Sequence, residues 1–465
     1  MSILNSFDSL IQSTQAYLKK IGIEESKINQ LLDEKKALKE QLLEMGLPKR
    51  TNEFWKYTSL KFLNDTPFYS EFISDNVSSD LEKKIEAHKT DDFFSLVFIN
   101  GFFSPALSDN LPVDQVYIKK NFYSSCFKKD FSRRNGVESS LDTPIKIPMH
   151  KSEFYFSDFF LGLGQVYNSE EVVIEIKKGI ELSKPLKIIL FSYSEQQKAI
   201  LSSSRISIKL EEQAKASVVV KSVGEDGVKY FSQIQLEVLL NKKSNLELIN
   251  SIEQSYQAYH IDQFKIDLHA DSQCHYLENN IGSLLTRHEL EVNLLQPGAN
   301  AKVMGVAYLQ KKEQCDSHTK IKFHASHTQA EQLYKNILDD EAISVFCGNV
   351  IIDEHINDVN SAQLNNNLLM SNQCESHSKP VLMIYSDDVK ASHGSTVGQL
   401  NEEELFYLRS RALSKEKAKE LLSSGFLLQV YELIDSQVLR SYLKKSISLK
   451  IDKKQARPEL KMLKV

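Results

Sequence analysis

From about residue 166 to residue 384, apolar side chains fall at every second position in run after run, and this constrains the fold more than any other feature of the chain. Val172, Ile174 and Ile176 are followed by Ile206, Ile208 and Leu210, then by Ile234, Leu236, Val238 and Leu240. Phe264/Ile266/Leu268, Leu290/Val292/Leu294 and Ile321/Phe323 continue the series. A period of two belongs to a β-strand, whose successive side chains point to opposite faces, so each run offers one apolar face for burial. Turn-rich pieces at residues 224–227, 241–245 and 296–300 separate the runs, and no amphipathic helix interrupts them. The pattern predicts an all-β region of the sandwich, barrel or parallel-solenoid type. No strict six- or nine-residue repeat is present, so alternation leaves these three open.

The flanks read as helical. Phe7, Leu10, Ile11, Tyr17, Leu18 and Ile21 recur at helical spacing before Gly22. Ile28, Leu31, Leu32, Leu38, Leu42 and Met45 form a second stripe, closed by Gly46 and Pro48. The segment EFWKYTSL follows at residues 53–60, and a mixed stretch then yields only a short apolar strand at residues 96–99. Near the other end, Asn401 with Glu404 suggests a capping box in which the Asn side chain takes the amide of Glu404. Ser414 is a second N-cap, opening a stripe of Ala418, Leu422, Phe426, Val430 and Ile434, widened by Leu421 and Leu433. Gly425 inside that stripe disfavours one unbroken helix. Residues 440–449 suggest a further element and residues 451–465 a loose tail. The expected division is a helical and mixed region over 1–165, a β core over 166–398 and a helical region over 399–465.

A chain of 465 residues is too long for one compact core. Its formal charge of −5 gives no general attraction to nucleic acid or to anionic membranes. The short pairs Lys128–Lys129 and Lys453–Lys454 read as solvated faces. No window approaches the roughly 18 consecutive apolar residues of a membrane span, and the first residues lack the pattern of a secretion signal. Cys126, Cys274, Cys315, Cys347 and Cys374 are an odd number and lie far apart, which argues against a disulfide framework and for a reducing cytoplasm.

Most catalytic motifs are missing. There is no GxxxxGK[ST] loop, and the pair Gly162 and Gly164 lacks the third glycine and following helix of a dinucleotide site, so no ATP site is expected here. There is no GxSxG, and Cys347 and Cys374 read as inert core thiols. His318, His324 and His327 are candidate metal ligands, but an unbroken strand puts His327 on the face opposite the other two. His393 has a more unusual setting. It follows Asp387 and Asp388, sits between Ser392 and Gly394, and precedes a helix by about ten residues. Gly394 would let the backbone turn there and leave a neutral imidazole, a ligand suited to iron, projecting from the end of the β region. On the residues alone a structural loop histidine is favoured.

From Asn365 the chain reads NNNLLMSNQCESHSKPVLMIYSDDVKASHGSTVGQL, and LFYLRSRALSKEKAKELL follows from Leu405. Upstream lie HTKIKFHASHTQAEQLYKNIL at 318–338 and VFCGNV at 345–350. In this order these segments resemble the SufB/SufD family of iron–sulfur cluster assembly scaffolds, over about the last two-thirds of the chain. EFWKYTSL and the Asp-Asp-Val-Lys before Ser-His-Gly resemble its SufD branch. The resemblance implies a right-handed parallel β-helix between N-terminal and C-terminal helical regions, and a scaffold with no turnover of its own. It implies pairing with a SufB-like chain through the β-helix cores, and docking of a SufC-like ABC-type ATPase on the C-terminal helices. The docking region matches Phe406, Tyr407, Arg409, Arg411, Leu422 and Phe426. It further implies His393 as a ligand to iron or to a transient cluster at the SufB interface, and in some systems a reduced flavin in the complex. Self-association without SufB is left open. Two positions depart from the family pattern. Ala391 stands where a cysteine is often found, so ligation rests on His393, and Ala412 stands where a glycine is common. Two rival readings are a β-solenoid carbohydrate-active enzyme, which would show paired carboxylates at strand spacing, and a stand-alone metal binder using His318, His324 and His327.

Overall fold

The computed structural model describes residues 7–73, 77–122, 158–168 and 170–455. Cys126, Lys128, Lys129 and the tail beyond residue 455 lie outside them. From Glu170–Ile176 to Val389–Gln399, strands alternate between two sheets, each strand in one sheet being followed in the chain by a strand of the other. Within a sheet, neighbours are parallel and in register: Val359 pairs with Val389, thirty positions on, and Arg287 with Asp316, twenty-nine positions on. The chain is therefore a parallel β-solenoid of about eight turns, with two strands to a turn. Its interior takes the apolar half of each alternating run, from Val172 and Ile174 to Phe346 and Val350.

The solenoid has unlike ends. At the start, Phe94–Ile99 pairs parallel with Leu186–Ser192 and is itself covered by Phe102–Phe103, while Val116–Phe122 runs antiparallel along Glu170–Ile176. At the finish, Glu375–Ile384 and Val389–Gln399 end their sheets with no strand beyond them among the described residues.

The repeat is hard to see in the sequence because most of its turns are not glycine turns. Gln213, Lys243 and Asp271 all take positive φ, from 58° to 63°, at equivalent corners, and Lys311 and Asp340, at 55° and 54°, do so at the corners where the chain returns. Each left-handed residue other than glycine costs about 1 kcal/mol, which the flanking ladders absorb. Gly179, Gly227 and Gly298 are glycines at positive φ among these turns, and at Gly298 a Cβ would come within 2.3 Å of Asp271 Oδ1.

Helices α1 (Phe7–Lys20) and α2 (Glu25–Met45) match the predicted stripes and are followed by Gly22 and Gly46 at positive φ. With α3 (Phe62–Asp65), α4 (Ser79–Glu86) and α5 (Asp158–Tyr167) they complete the N-terminal region. Gly162 and Gly164 lie inside α5, packed on the solenoid; a Cβ at Gly164 would clash with Gln235. Leu10, Leu42, Trp55, Phe62 and Phe160 cover Leu201, Phe231 and Ile261 on the outside of one sheet.

The C-terminal region comprises α6 (Glu402–Ser410), α7 (Lys415–Tyr431) and α8 (Gln437–Gln455). Asn401 caps α6 through the amide of Glu403 at 2.8 Å rather than that of Glu404, and Ser414 caps α7 through Lys417 at 3.1 Å. Gly425 does not interrupt α7; its solvent side simply lacks a side chain. Leu427, Val430, Tyr431, Ile434, Leu439 and Leu443 bury the outside of the other sheet, at Val219, Ile249, Leu277, Val306 and Ile337. No helix among the described residues is long and apolar enough to cross a membrane.

Candidate functional site at the open end of the solenoid

His393 lies within the strand Val389–Gln399, not in a loop, and Gly394 makes no turn. The strand escapes sequence reading because it belongs to the last turn, where inward positions need not be apolar. Ala391 packs against the interior cluster, and His393, two residues on, shares its face. His393 is in register with Gln363, whose amide donates to Gln332 at 2.5 Å, which in turn donates to Thr319 at 2.6 Å. Beside this column Asn336 donates to Asn367 at 2.9 Å, and Asn365 to Ser378 at 3.0 Å. The imidazole thus stands at the end of a polar column that rises through the interior. It is exposed, and no side-chain hydrogen bond holds it among the described residues. Tyr385, just beyond the strand Glu375–Ile384, and Val397, in the strand of His393, are more than half exposed (59% and 53%).

Deeper inside, the column meets a closed polar network. Asp262 contacts His260 at 3.1 Å and also His288, and Tyr276 Oη lies 2.9 Å from His288 Nε2. Burial pushes the Asp262 carboxyl up, but the charges and hydrogen bonds of His288 and His260 outweigh it and hold the group well below the usual carboxylate range. Burial raises Glu278, which accepts from Ser317 at 2.9 Å. These side chains are sealed from solvent, so the network supports the interior and offers no ligand site.

The three candidate metal histidines are not brought together. The strand ends at Phe323, so His324 pairs with Asp353 at 2.7 Å and His327, at φ 59°, with Asp358 at 2.8 Å. His318 is buried on the outer face of its strand, beside Asp316 at 2.7 Å. A Glu247, His275 and Asp435 group has ligand atoms within 4.8 Å of one another. Glu247, however, already accepts the amides of Asp435 at 2.6 Å and Ser436 at 3.1 Å, and so anchors the start of α8.

EFWKYTSL docks on the outer face that carries His318. The buried Arg287 guanidinium donates to Phe54 O and Asp316 Oδ2, each at 2.7 Å, and to Glu289 Oε1 at 3.0 Å, under the Trp55 ring at 4.1 Å. Thr58 donates to Asp316, Lys379 pairs with Glu53, and Tyr57 stacks on His377 at 4.2 Å. A cavity of about 330 Å³ remains under the segment, lined by His318, Cys347, His377 and Lys379. Cys347 was not legible as anything but a core thiol. Its signal is the turn length: His318 and Cys347, like Arg287 and Asp316, are twenty-nine residues apart and in register. Burial pushes Cys274 up to about 12, and Cys374 sits in an apolar cluster; Cys347 differs from both.

On the C-terminal helices Phe406, Tyr407, Arg409 and Arg411 are exposed, with Arg411 over the Tyr407 ring at 4.8 Å. Leu422 and Phe426 are half-buried, and Lys335 lies over the Phe426 ring at 4.6 Å. Ala418, Val430 and Ile434 are fully buried, so that side of the stripe is spent on packing. Ala412, between α6 and α7, takes φ 65°, which explains why a glycine suits this junction.

Residues 192–426 match the family model described as SUF system FeS cluster assembly, SufBD core domain. The chain is 27% identical to the iron–sulfur cluster assembly protein SufD of Escherichia coli, over 86% of this chain and 88% of that one. It is 26% identical to an iron–sulfur cluster assembly SufBD family protein of Synechocystis, over 90% of each. Similarity extends to the chloroplastic protein ABCI7 of Arabidopsis thaliana, at 25% identity over 86% of this chain and 82% of that protein.

Proposed function

The chain belongs to the SufBD family of iron–sulfur cluster assembly scaffolds, and on that premise we propose that it acts as a SufD-type subunit whose last solenoid turn receives a SufB-like partner. The observation that carries this reading is the unroofed end. Among the described residues two sheets end there with no strand beyond them, Tyr385 and Val397 are exposed, and His393 of the last strand is exposed with no side-chain hydrogen bond. An edge of this kind is a template for another chain's strands, and pairing would cover the apolar rim. His393 then supplies one nitrogen ligand to iron, or to a nascent cluster, as cargo at the interface. With Ala391 beside it offering no thiolate, the remaining ligands come from the partner.

A SufC-like ATPase would dock on the exposed part of the C-terminal helices, at Phe406, Tyr407, Arg409 and Arg411, with Leu422 and Phe426 at its margin. The opposite faces of α7 and α8 are bound tightly to the solenoid, so motion of such a partner would reach the β core as rigid-body movement. A reduced flavin, if it joins the complex, would bind with the partners present.

His393→Ala should leave co-purification with SufB-like and SufC-like chains intact while lowering cluster build-up about tenfold or more. Normal maturation of iron–sulfur enzymes by this variant, in cells lacking other assembly routes, removes the ligand role.

A further inference from the structure

The cavity beneath residues 53–57 contains chemistry that cluster ligation at His393 does not use. Cys347 projects outward from the strand Ile343–Ile352, directly in register with His318 on one side and Lys379 on the other. It lines the cavity together with His318, and Asn349 Nδ2 donates to its sulfur at 3.4 Å. Behind His318 stand Asp316 at 2.7 Å and Arg287, with Glu289 the next register position, so the imidazole is gripped from the far side. From the covering segment Glu53 and Lys56 face the cavity, and from the last strand of this sheet His377 and Lys379 do. Glu53 is taken up by Lys379, whereas Lys56 makes no ion pair among the described residues.

We propose that Cys347 is a His318-activated nucleophilic thiol that takes small anionic disulfides in this cavity. The Cys347 thiolate attacks one sulfur of the disulfide RS–SR. The S–S bond breaks as the Cys347–SR bond forms, and RS⁻ leaves to take a proton from solvent. The disulfide is the oxidant and Cys347 ends as a mixed disulfide, so no other redox partner is needed. Lys56, which makes no ion pair among the described residues, favours an anionic occupant.

The electrostatics agree with the geometry. Burial pushes the Cys347 thiol up, but the interaction with His318 outweighs it and holds the group below the ordinary thiol value. Burial and Arg287 push His318 down, and Asp316 more than restores it. Cys274 and Cys315 move the other way, through burial without a cationic partner.

The test uses the full chain carrying Cys126→Ala, with the dianionic 5,5′-dithiobis(2-nitrobenzoate) and the uncharged 4,4′-dithiodipyridine as probes. One thiol should react fast in the native protein, be mapped to Cys347 by mass spectrometry, vanish in Cys347→Ser, and keep its rate to a pH below that of a free thiol. Lys56→Gln should reduce the preference for the dianionic probe severalfold, and His318→Asn should slow the reaction at neutral pH by tenfold or more. Because His318→Asn can disturb folding, the pH profile of the unsubstituted chain decides. Modification mapped to another cysteine, or a Cys347 rate and pH profile like those of a free thiol, overturns the proposal. This inference stands apart from the role of His393, since every readout is made without iron or partners.

Discussion

The two outer faces of the solenoid are covered by opposite ends of the chain, and by different mixtures of contacts. On one, α7 and α8 lay Leu427, Val430, Tyr431 and Leu443 against Ile249, Leu277, Val306 and Ile337, and this apolar packing is joined by Tyr442 and Ser446 donating to Glu253 and by Lys450 paired with Glu313. On the other, the cover begins apolar at Phe231 and Ile261 and becomes charged at Arg287, Asp316, Glu289 and His318 under residues 53–58. Apolar packing fills space without direction, whereas a buried charge group demands fixed partners and leaves room where those partners cannot fill. The cavity with Cys347 lies on the charged face for that reason. The contrast teaches that a terminal segment can serve as structural cladding on one side and as the lid of a chemical site on the other.

The comparison breaks first at Arg287. Arg287→Met should destabilise the chain by about 3–5 kcal/mol in urea unfolding, because Asp316 and Glu289 are left buried and unpaired. Burial pushes the Asp316 carboxyl up, but Arg287 and His318 more than reverse this and hold it below its ordinary value. Its stabilisation is therefore present above the ordinary carboxylate pKa and lost as pH falls through the depressed folded value. Without Arg287 the folded value rises, so Asp316 takes up its proton earlier and the variant's deficit should shrink in acid. A deficit independent of pH would mean the charged face behaves like ordinary packing. Leu427→Ala on the opposite face should cost about 2–4 kcal/mol, and by the same measurement that loss should not change between pH 5 and pH 8. Ala412→Gly is the smallest effect expected, a gain of about 1 kcal/mol or less, since glycine relieves the φ of 65° but frees the unfolded chain. Thermal unfolding reads it, and a loss of stability would show that Ala412 is held by contacts instead.

Much of the architecture was legible. The alternating runs 172–176, 206–210 and 234–240 are strands with their apolar halves inside, and both N-terminal stripes are helices ending at glycines. The winding was not legible from alternation, because period two specifies a face and not a neighbour. With Gln213, Lys243, Asp271 and Asp340 at the corners instead of glycine, no regular punctuation marks the thirty-residue turn. The resemblance of the segments around His393 to a known family supplied the solenoid that periodicity could not. At the candidate site the histidine was singled out by its setting, but its strand was missed: Val389–Gln399 is mostly exposed, and an exposed end turn has no burial pattern to read.

Determined by the sequence alone, then, were the β character of the core, the helical flanks, the caps at Asn401 and Ser414, and the absence of a thiol at residue 391. These depend on each residue's own propensity or on neighbours a few positions away. Only the tertiary structure decided that His393 stands on the last strand of its sheet among the described residues, that Gly425 leaves its helix whole, and that His318 and Cys347 line one cavity beneath Phe54 and Tyr57. Those facts depend on which residues stack one turn apart and on which terminal segment folds back over which face, and no local spacing carries that information.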